Sequence, residues 1–160
     1  MIKYIVGTLL GLVCSISSVQ AAEQPLVPRF VSLRHNQVNL RTGPGNRYPI
    51  MWVYQEKGYP VEIIDEYELW RKIREVDGTT GWVHRTQITG VRHALVLEEC
   101  SLINAPRING RTVAIAQKGT IGRILKCPKS SDYCLLDFGK AKGWMAKNMF
   151  YGLYKDEIID

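Results

Sequence analysis

At 160 residues the chain can form one ordinary domain or two very small ones, and it is too short for a large enzyme core. Hydrophobic residues make up 46% and charged residues 22%, a balance that excludes disorder, a collagen-like repeat and a multi-span membrane protein. Lysine and arginine exceed the acids by 21 to 15, a net charge of +6 with no basic run, so an anionic neighbour is only weakly favoured and nucleic acid is not implied.

The opening MIKYIVGTLLGLVCSISSVQAAEQP has one charge at Lys3, an apolar run from Tyr4 to Val13, then small and polar residues. This is the pattern of a secretory signal peptide, with Val19 and Ala21 set for a cut after Ala21 or Ala22. A lipid-bearing Cys14 is the alternative, disfavoured by the bulky Val13 before it. The apolar run is shorter than the roughly 20 residues a membrane span needs. Residues 1–22 are therefore expected to be removed, leaving a periplasmic or secreted chain with no transmembrane span. The excess of positive charge then sits in the second half: nine basic against eight acidic residues over 23–90, and eleven against seven over 91–160. Residues 23–30, with Pro25 and Pro28, read as an extended lead-in; their PxxP spacing is better explained as a stiff linker than as a ligand for another groove.

The rest of the chain contains an internal repeat of about 60 residues. EKGYPVEIIDEYELWRKIREVDGTTGWVHRTQITG aligns with QKGTIGRILKCPKSSDYCLLDFGKAKGWMAKNMFYG. Lys57-Gly58 falls on Lys118-Gly119, Ile63-Ile64 on Ile124-Leu125, and Gly81-Trp82-Val83 on Gly143-Trp144-Met145; upstream, VNLRTGPG from Val38 falls on CSLINAPR from Cys100. Apolar residues recur at a spacing of two, at Val38 and Leu40, Val61 and Ile63, Val113 and Ile115, which predicts strands. Turn residues at Thr42–Gly45, Lys57-Gly58, Asp77-Gly78 and Lys118-Gly119 separate the runs. Each unit is expected to hold about five strands closed as a small barrel, since an open sheet of that size leaves exposed edges. The units are placed at 31–90 and 91–154, with a tail at 155–160.

Export makes one disulfide plausible among Cys100, Cys127 and Cys134. Cys127 and Cys134 flank the turn-rich PKSSDY, which can bring their strands to adjacent positions, so they are predicted to pair. Cys100 stays reduced, as a small core residue at the place of Val38.

The sequence VNLRTGPGNRYPI, followed by a KG turn, Trp70-Arg-Lys-Ile73 and Gly81-Trp82-Val83, resembles a bacterial SH3 (SH3b) domain, and the second half resembles a divergent second copy in which Tyr133 takes the place of Trp70. The resemblance implies an all-β chain of two tandem small SH3-like β-barrels. It also implies extracytoplasmic, noncatalytic modules of the kind that bind cell-wall peptidoglycan or accompany wall hydrolases.

Catalytic readings fare poorly. A cysteine hydrolase would need Cys100 beside His93 or His84 and an orienting group. His35, His84 and His93 lack zinc-ligand spacing, and Asp65, Glu66 and Glu68 surround a hairpin turn without a second acidic cluster. Thr42–Gly45 lacks the Gly-Lys-Ser/Thr ending and following helix of a phosphate loop. What remains is an aromatic set, Tyr48, Trp52, Tyr54, Tyr67, Trp70 and Trp82, interleaved with Arg41, Arg47, Arg71 and Arg74, a combination suited to sugars, peptides or carboxylates. Trp52 and Trp82 sit among alternating apolar residues and also read as core. Trp70 lies three residues from Ile73, on the opposite side of a regular strand. The ligand face is therefore assigned to Arg41, Tyr48, Trp70 and Trp82, with the Lys140, Lys142 and Lys147 surface as the second choice. No cofactor or metal is expected. The expected partner is peptidoglycan or an envelope protein; a scaffold within an envelope complex is the rival reading, and a Cys100-dependent hydrolase a minor one.

Overall fold

The structure, a computed structural model of the chain, describes residues 27–160. The expected signal peptide, its cleavage site and Cys14 lie outside the described residues.

The alternation read from the sequence becomes short antiparallel strands. The first unit comprises β1 (Arg29–Leu33), β2 (Val38–Arg41), β3 (Ile50–Tyr54), β4 (Pro60–Tyr67), β5 (Trp70–Arg74), β6 (Thr80–His84) and β7 (Ile88–Thr89). The second comprises β8 (His93–Val96), β9 (Cys100–Ile103), β10 (Thr112–Ala116), β11 (Ile121–Lys126), β12 (Tyr133–Asp137), β13 (Lys142–Ala146) and β14 (Phe150–Tyr151). Each unit forms one seven-stranded sheet, in the order β3-β2-β6-β5-β4-β1-β7 and β10-β9-β13-β12-β11-β8-β14. These orders are the same topology repeated, so the sequence repeat is a repeat of fold. The strands number seven per unit rather than about five, and one of the added strands is a two-residue strand reached through a 3-10 turn, at Arg85–Gln87 or Lys147–Met149, that pairs with the unit's first strand. Among the described residues, no helix is long and apolar enough to cross a membrane.

Each sheet curls around its own core. In β2, Val38 and Leu40 point inward and Asn39 and Arg41 outward; in β6, Gly81 and Val83 point inward and Thr80, Trp82 and His84 outward. Strands from both ends of the hydrogen-bonded order supply the first core, Tyr54 from β3 and Ile88 from β7 packing with Leu40, Ile63 and Ile73. The second core gathers Val96, Leu102, Leu136, Met145 and Phe150 around the Cys127–Cys134 disulfide, whose Cα atoms are 4.4 Å apart. That is the predicted pairing, and Cys100 is free.

Two placements, Cys100 and Trp52, differ from expectation, and one predicted strand turns its larger residues outward. Val113 and Ile115 are in a strand but face outward, at 44% and 57% exposure, because β10 pairs with β9 through Leu102↔Ala114 and Cys100↔Ala116, which turns the alanines to the core side. Cys100 packs against the second core only in part and is not a buried core residue. Trp52 is 61% exposed: β3 is the outermost strand, and a register shift between Leu40 and Arg41 leaves its indole at the rim rather than inside.

The barrels pack on each other through residues that no local pattern marks. Phe30 of β1 meets the rings of Tyr151 and Tyr154 at 5.0 and 4.7 Å. The Tyr154 hydroxyl donates to Glu62 Oε1 (2.6 Å), and that of Tyr151 to the Arg74 carbonyl (3.2 Å). Arg92, between the barrels, pairs with Glu157 and donates to the Gly152 carbonyl at 2.6 Å. His93 Nδ1 lies 3.0 Å from the fully buried Ser32 hydroxyl. The last residues fold back, with Ile159 bridging Cys127.

Candidate functional site

The outward residues of β2, β6 and β5 form one surface. Registers Arg41↔Trp82, Lys72↔Trp82 and Trp70↔His84 set two rows across it, Arg41–Trp82–Lys72 and, one step along, Asn39–His84–Trp70. The loop after β2 and the 3-10 turn rise at its sides and enclose a cleft of about 400 Å³ lined by Gln37, Asn39, Arg41, Asn46, Trp70, His84 and Gln87.

Trp70 is the apolar wall of this cleft. It lies outside the core cluster, as its spacing from Ile73 requires, yet is only 8% exposed because the His84 ring packs edge-on against it at 5.3 Å. His84 is in turn held by its Nδ1, 2.8 Å from Thr86 Oγ1 at the start of the 3-10 turn. Arg41 braces the opposite wall: Nη1 donates to the carbonyls of Asn46 (3.1 Å) and Tyr48 (2.8 Å). The loop can close this tightly because Gly43 lies flat on the Tyr48 ring, where a Cβ would come within 2.4 Å of the ring.

Of the four residues assigned from the sequence, Arg41 and Trp70 line the cleft. Tyr48 packs the loop beneath it, with Arg47 over its ring at 5.2 Å. Trp82 is half-buried on the same outer face, beside Arg41 in register, and is not part of the lining. Four neutral amides, Gln37, Asn39, Asn46 and Gln87, together with His84, were not anticipated. Asn39 was legible, since it shares the phase of Arg41, opposite to Val38 and Leu40. Gln87 was not, because its place depends on the 3-10 turn. Of the second-choice lysines, Lys147 lines a cleft with Tyr133, Lys140 lines a separate groove, and Lys142 opens β13 as an exposed residue.

The catalytic candidates are also placed. Burial pushes the Cys100 thiol above its usual range, which works against a nucleophilic thiolate. His93, the suggested base, is tied to Ser32 at the junction, and burial lowers its pKa. Among the described residues, no three His, Cys, Asp or Glu side chains gather as a metal site requires.

Residues 34–90 match the family model of the bacterial SH3 domain, so the resemblance is shown for the stretch that runs from before β2 through β7 and carries the cleft. No curated protein matches the chain. Among solved structures, the chain is similar to NlpC1 and NlpC2 from Trichomonas vaginalis, each at 12% identity, with TM-scores of 0.37 and 0.36, over 87% and 81% of its own length. It spans about half of each of those chains, 51% and 49%.

Proposed function

We propose that this is an exported, noncatalytic binding protein whose first barrel holds peptidoglycan in the cleft between Arg41 and Trp70. The observation that carries the reading is the lining itself. Four side-chain amides, each able to donate and accept, suit a ligand that also does both, namely the amides and hydroxyls of a glycopeptide. Trp70, 8% exposed, offers only the open edge of its indole, beside His84, to an apolar sugar or peptide group, and Arg41 a guanidinium for a carboxylate. The lining contains no thiol and no carboxylate, which favours binding over hydrolysis. The bacterial SH3 match over residues 34–90 supports a wall-directed role.

Co-sedimentation with purified peptidoglycan tests the proposal. Loss of a single neutral hydrogen bond costs about 0.5–1.5 kcal/mol, so Asn39→Ala should weaken binding roughly 2- to 10-fold without loss of structure. If the wild-type protein stays in the supernatant, the proposal fails.

A further inference from the structure

A second groove opens on the other side of the β2–β3 hairpin, about 400 Å³ in volume, and is lined chiefly by Met51, Trp52, Tyr54, Tyr59, Glu75 and Asp77. Its rings are set as a surface: Trp52 is 61% and Met51 48% exposed, while Tyr54 and Tyr59 lie behind them with ring centres 5.7 Å apart. The Tyr54 hydroxyl donates to Glu75 Oε1 at 2.6 Å and so fixes the carboxylate at the groove. Asp77, two residues on, accepts from the Thr79 amide at 2.9 Å and adds a second negative charge.

Glu75 differs from three of the other buried or partly buried carboxylates; Asp137, also partly buried, is likewise without an ion pair among the described residues, but it accepts from the Gly139 amide and lies outside any groove of rings. Glu62, Glu66 and Glu157 each have an arginine within ion-pair distance, Arg74, Arg29 with Arg71, and Arg92. Among the described residues Glu75 has no such cation, although burial and then the nearby Asp77 push its pKa up and the Tyr54 bond only partly offsets this. A desolvated carboxylate among aromatic rings, in a protein of net charge +6, is a site lacking its counter-ion.

The second barrel provides an internal control. The same fold position there is also a groove, of about 430 Å³. By strand register, Ala114, Ala116 and Thr120 stand where the first barrel has Trp52, Tyr54 and Tyr59, and of these Ala116 and Thr120 line the groove; Phe138 replaces Glu75, and Lys140 lies in the turn that follows, where the first barrel has Asp77. The fold supplies the groove twice, and only one copy carries rings with carboxylates.

We propose that the Trp52–Glu75 groove binds the cationic side chain of a lysine- or arginine-bearing peptide segment, with the alkyl stem across Trp52 and the charged end at Glu75 and Asp77. Ring faces attract ammonium and guanidinium groups, and the two carboxylates complete the pairing. A peptide is favoured over a small amine because β3 is the outermost strand of its sheet, where an extended segment can lie alongside while alternate side chains enter the groove.

The test is amide-resolved NMR of the 15N-labelled protein, titrated with end-blocked pentapeptides of glycine whose central residue is lysine, arginine, Nε-acetyllysine or glutamate. The lysine and arginine peptides should shift the amides of Trp52–Tyr54 and Glu75–Thr79, with dissociation constants on the order of 1–10 mM for a single cationic contact. The amides of Leu102, Ala116 and Phe138 should not move. Acetyllysine and glutamate should weaken binding at least about 10-fold, since they remove or reverse the charge. Trp52→Ala, at an exposed position, and Glu75→Gln, which keeps an acceptor for Tyr54, should each weaken it roughly 5-fold or more while the remaining spectrum is unchanged. The proposal is overturned by acetyllysine binding as well as lysine, by shifts centred on Arg41, Trp70 and His84 instead, or by no shifts at about 20 mM peptide, well above the expected constants.

Discussion

The two barrels share one strand order and differ in almost everything that faces out of it. In the first barrel Val61 fills the core, which leaves Glu75 at the rim of a groove. In the second, Gly122 takes the place of Val61 and Phe138 that of Glu75, and the Phe138 ring occupies the space a side chain on Gly122 would need, 2.7 Å from its Cβ position. One pair of positions is thus core plus site in one copy and a core repacked from the rim in the other. The outer face has diverged in the same way: Asn39, Arg41, Trp70 and His84 correspond to Ser101, Ile103, Tyr133 and Ala146, whereas Trp82 and Trp144 are the same residue. Inward residues keep the topology in both copies, and outward ones give the two faces different side chains.

The strongest way to break this comparison is in the second core. Gly122→Val should drive a side chain into Phe138 and destabilise the second barrel by about 1–3 kcal/mol, as overpacking does. Combining it with Phe138→Glu, which recreates the first barrel's pair, should recover part of that loss, giving a coupling of about 1 kcal/mol or more in chemical denaturation. Additive losses would mean that the two positions are not exchanging volume. Of comparable size is the disulfide, present only in the second barrel. Cys127→Ala with Cys134→Ala should cost about 2–3 kcal/mol in the chain-entropy account of so short a loop. The loss should appear in the β8–β14 amides and not in those of β1–β6, as read by hydrogen exchange.

A smaller effect sharpens the junction. Burial is the main cause that lowers the His93 pKa, and the groups facing it include Arg123 and Lys57, which act in the same sense, while a backbone bond at Val91 opposes them. A depressed base contributes stability that is complete above the unfolded value of about 6.5 and is lost as pH falls through the lower folded value. The denaturation midpoint should therefore drop on acidification below about pH 6.5, and His93→Gln should flatten that part of the profile. The smallest effect is at Glu75. Its raised pKa means that the ionised form is disfavoured in the folded state, so stability rises as pH falls through that value. Glu75→Gln should leave the neutral-pH midpoint unchanged or slightly higher, with the difference from wild type closing in acid.

The strand pattern was legible because each short run alternates against a core, and turn residues punctuate the runs. Spacing of two alone does not say which side is inward: Val113 and Ile115 form the predicted strand, but pairing with β9 gives its inward side to the smaller alanines. Two of the seven residues lining the cleft are assigned from the sequence, Trp70 from its phase against Ile73 and Arg41 from the arginines interleaved with the aromatic set. The amides escaped notice because a neutral Asn or Gln in a strand or turn has no distinctive pattern until its neighbours across the sheet are known. The junction between the barrels was not legible at all. Phe30 meets Tyr151 and Tyr154 across more than a hundred residues of chain, and no local spacing encodes such a contact.

The central claim is that wall binding belongs to the outer face of the first barrel, and exchanging that face for its counterpart tests it most directly. In the full chain, Arg41→Ile, Trp70→Tyr and His84→Ala together give the first barrel the residues of the second, which this fold already accommodates at those positions. Co-sedimentation with purified peptidoglycan should fall at least about 10-fold for this folded variant, the loss expected for an apolar wall contact and a charged hydrogen bond. A folded variant that sediments with peptidoglycan as well as the wild-type protein would contradict the account.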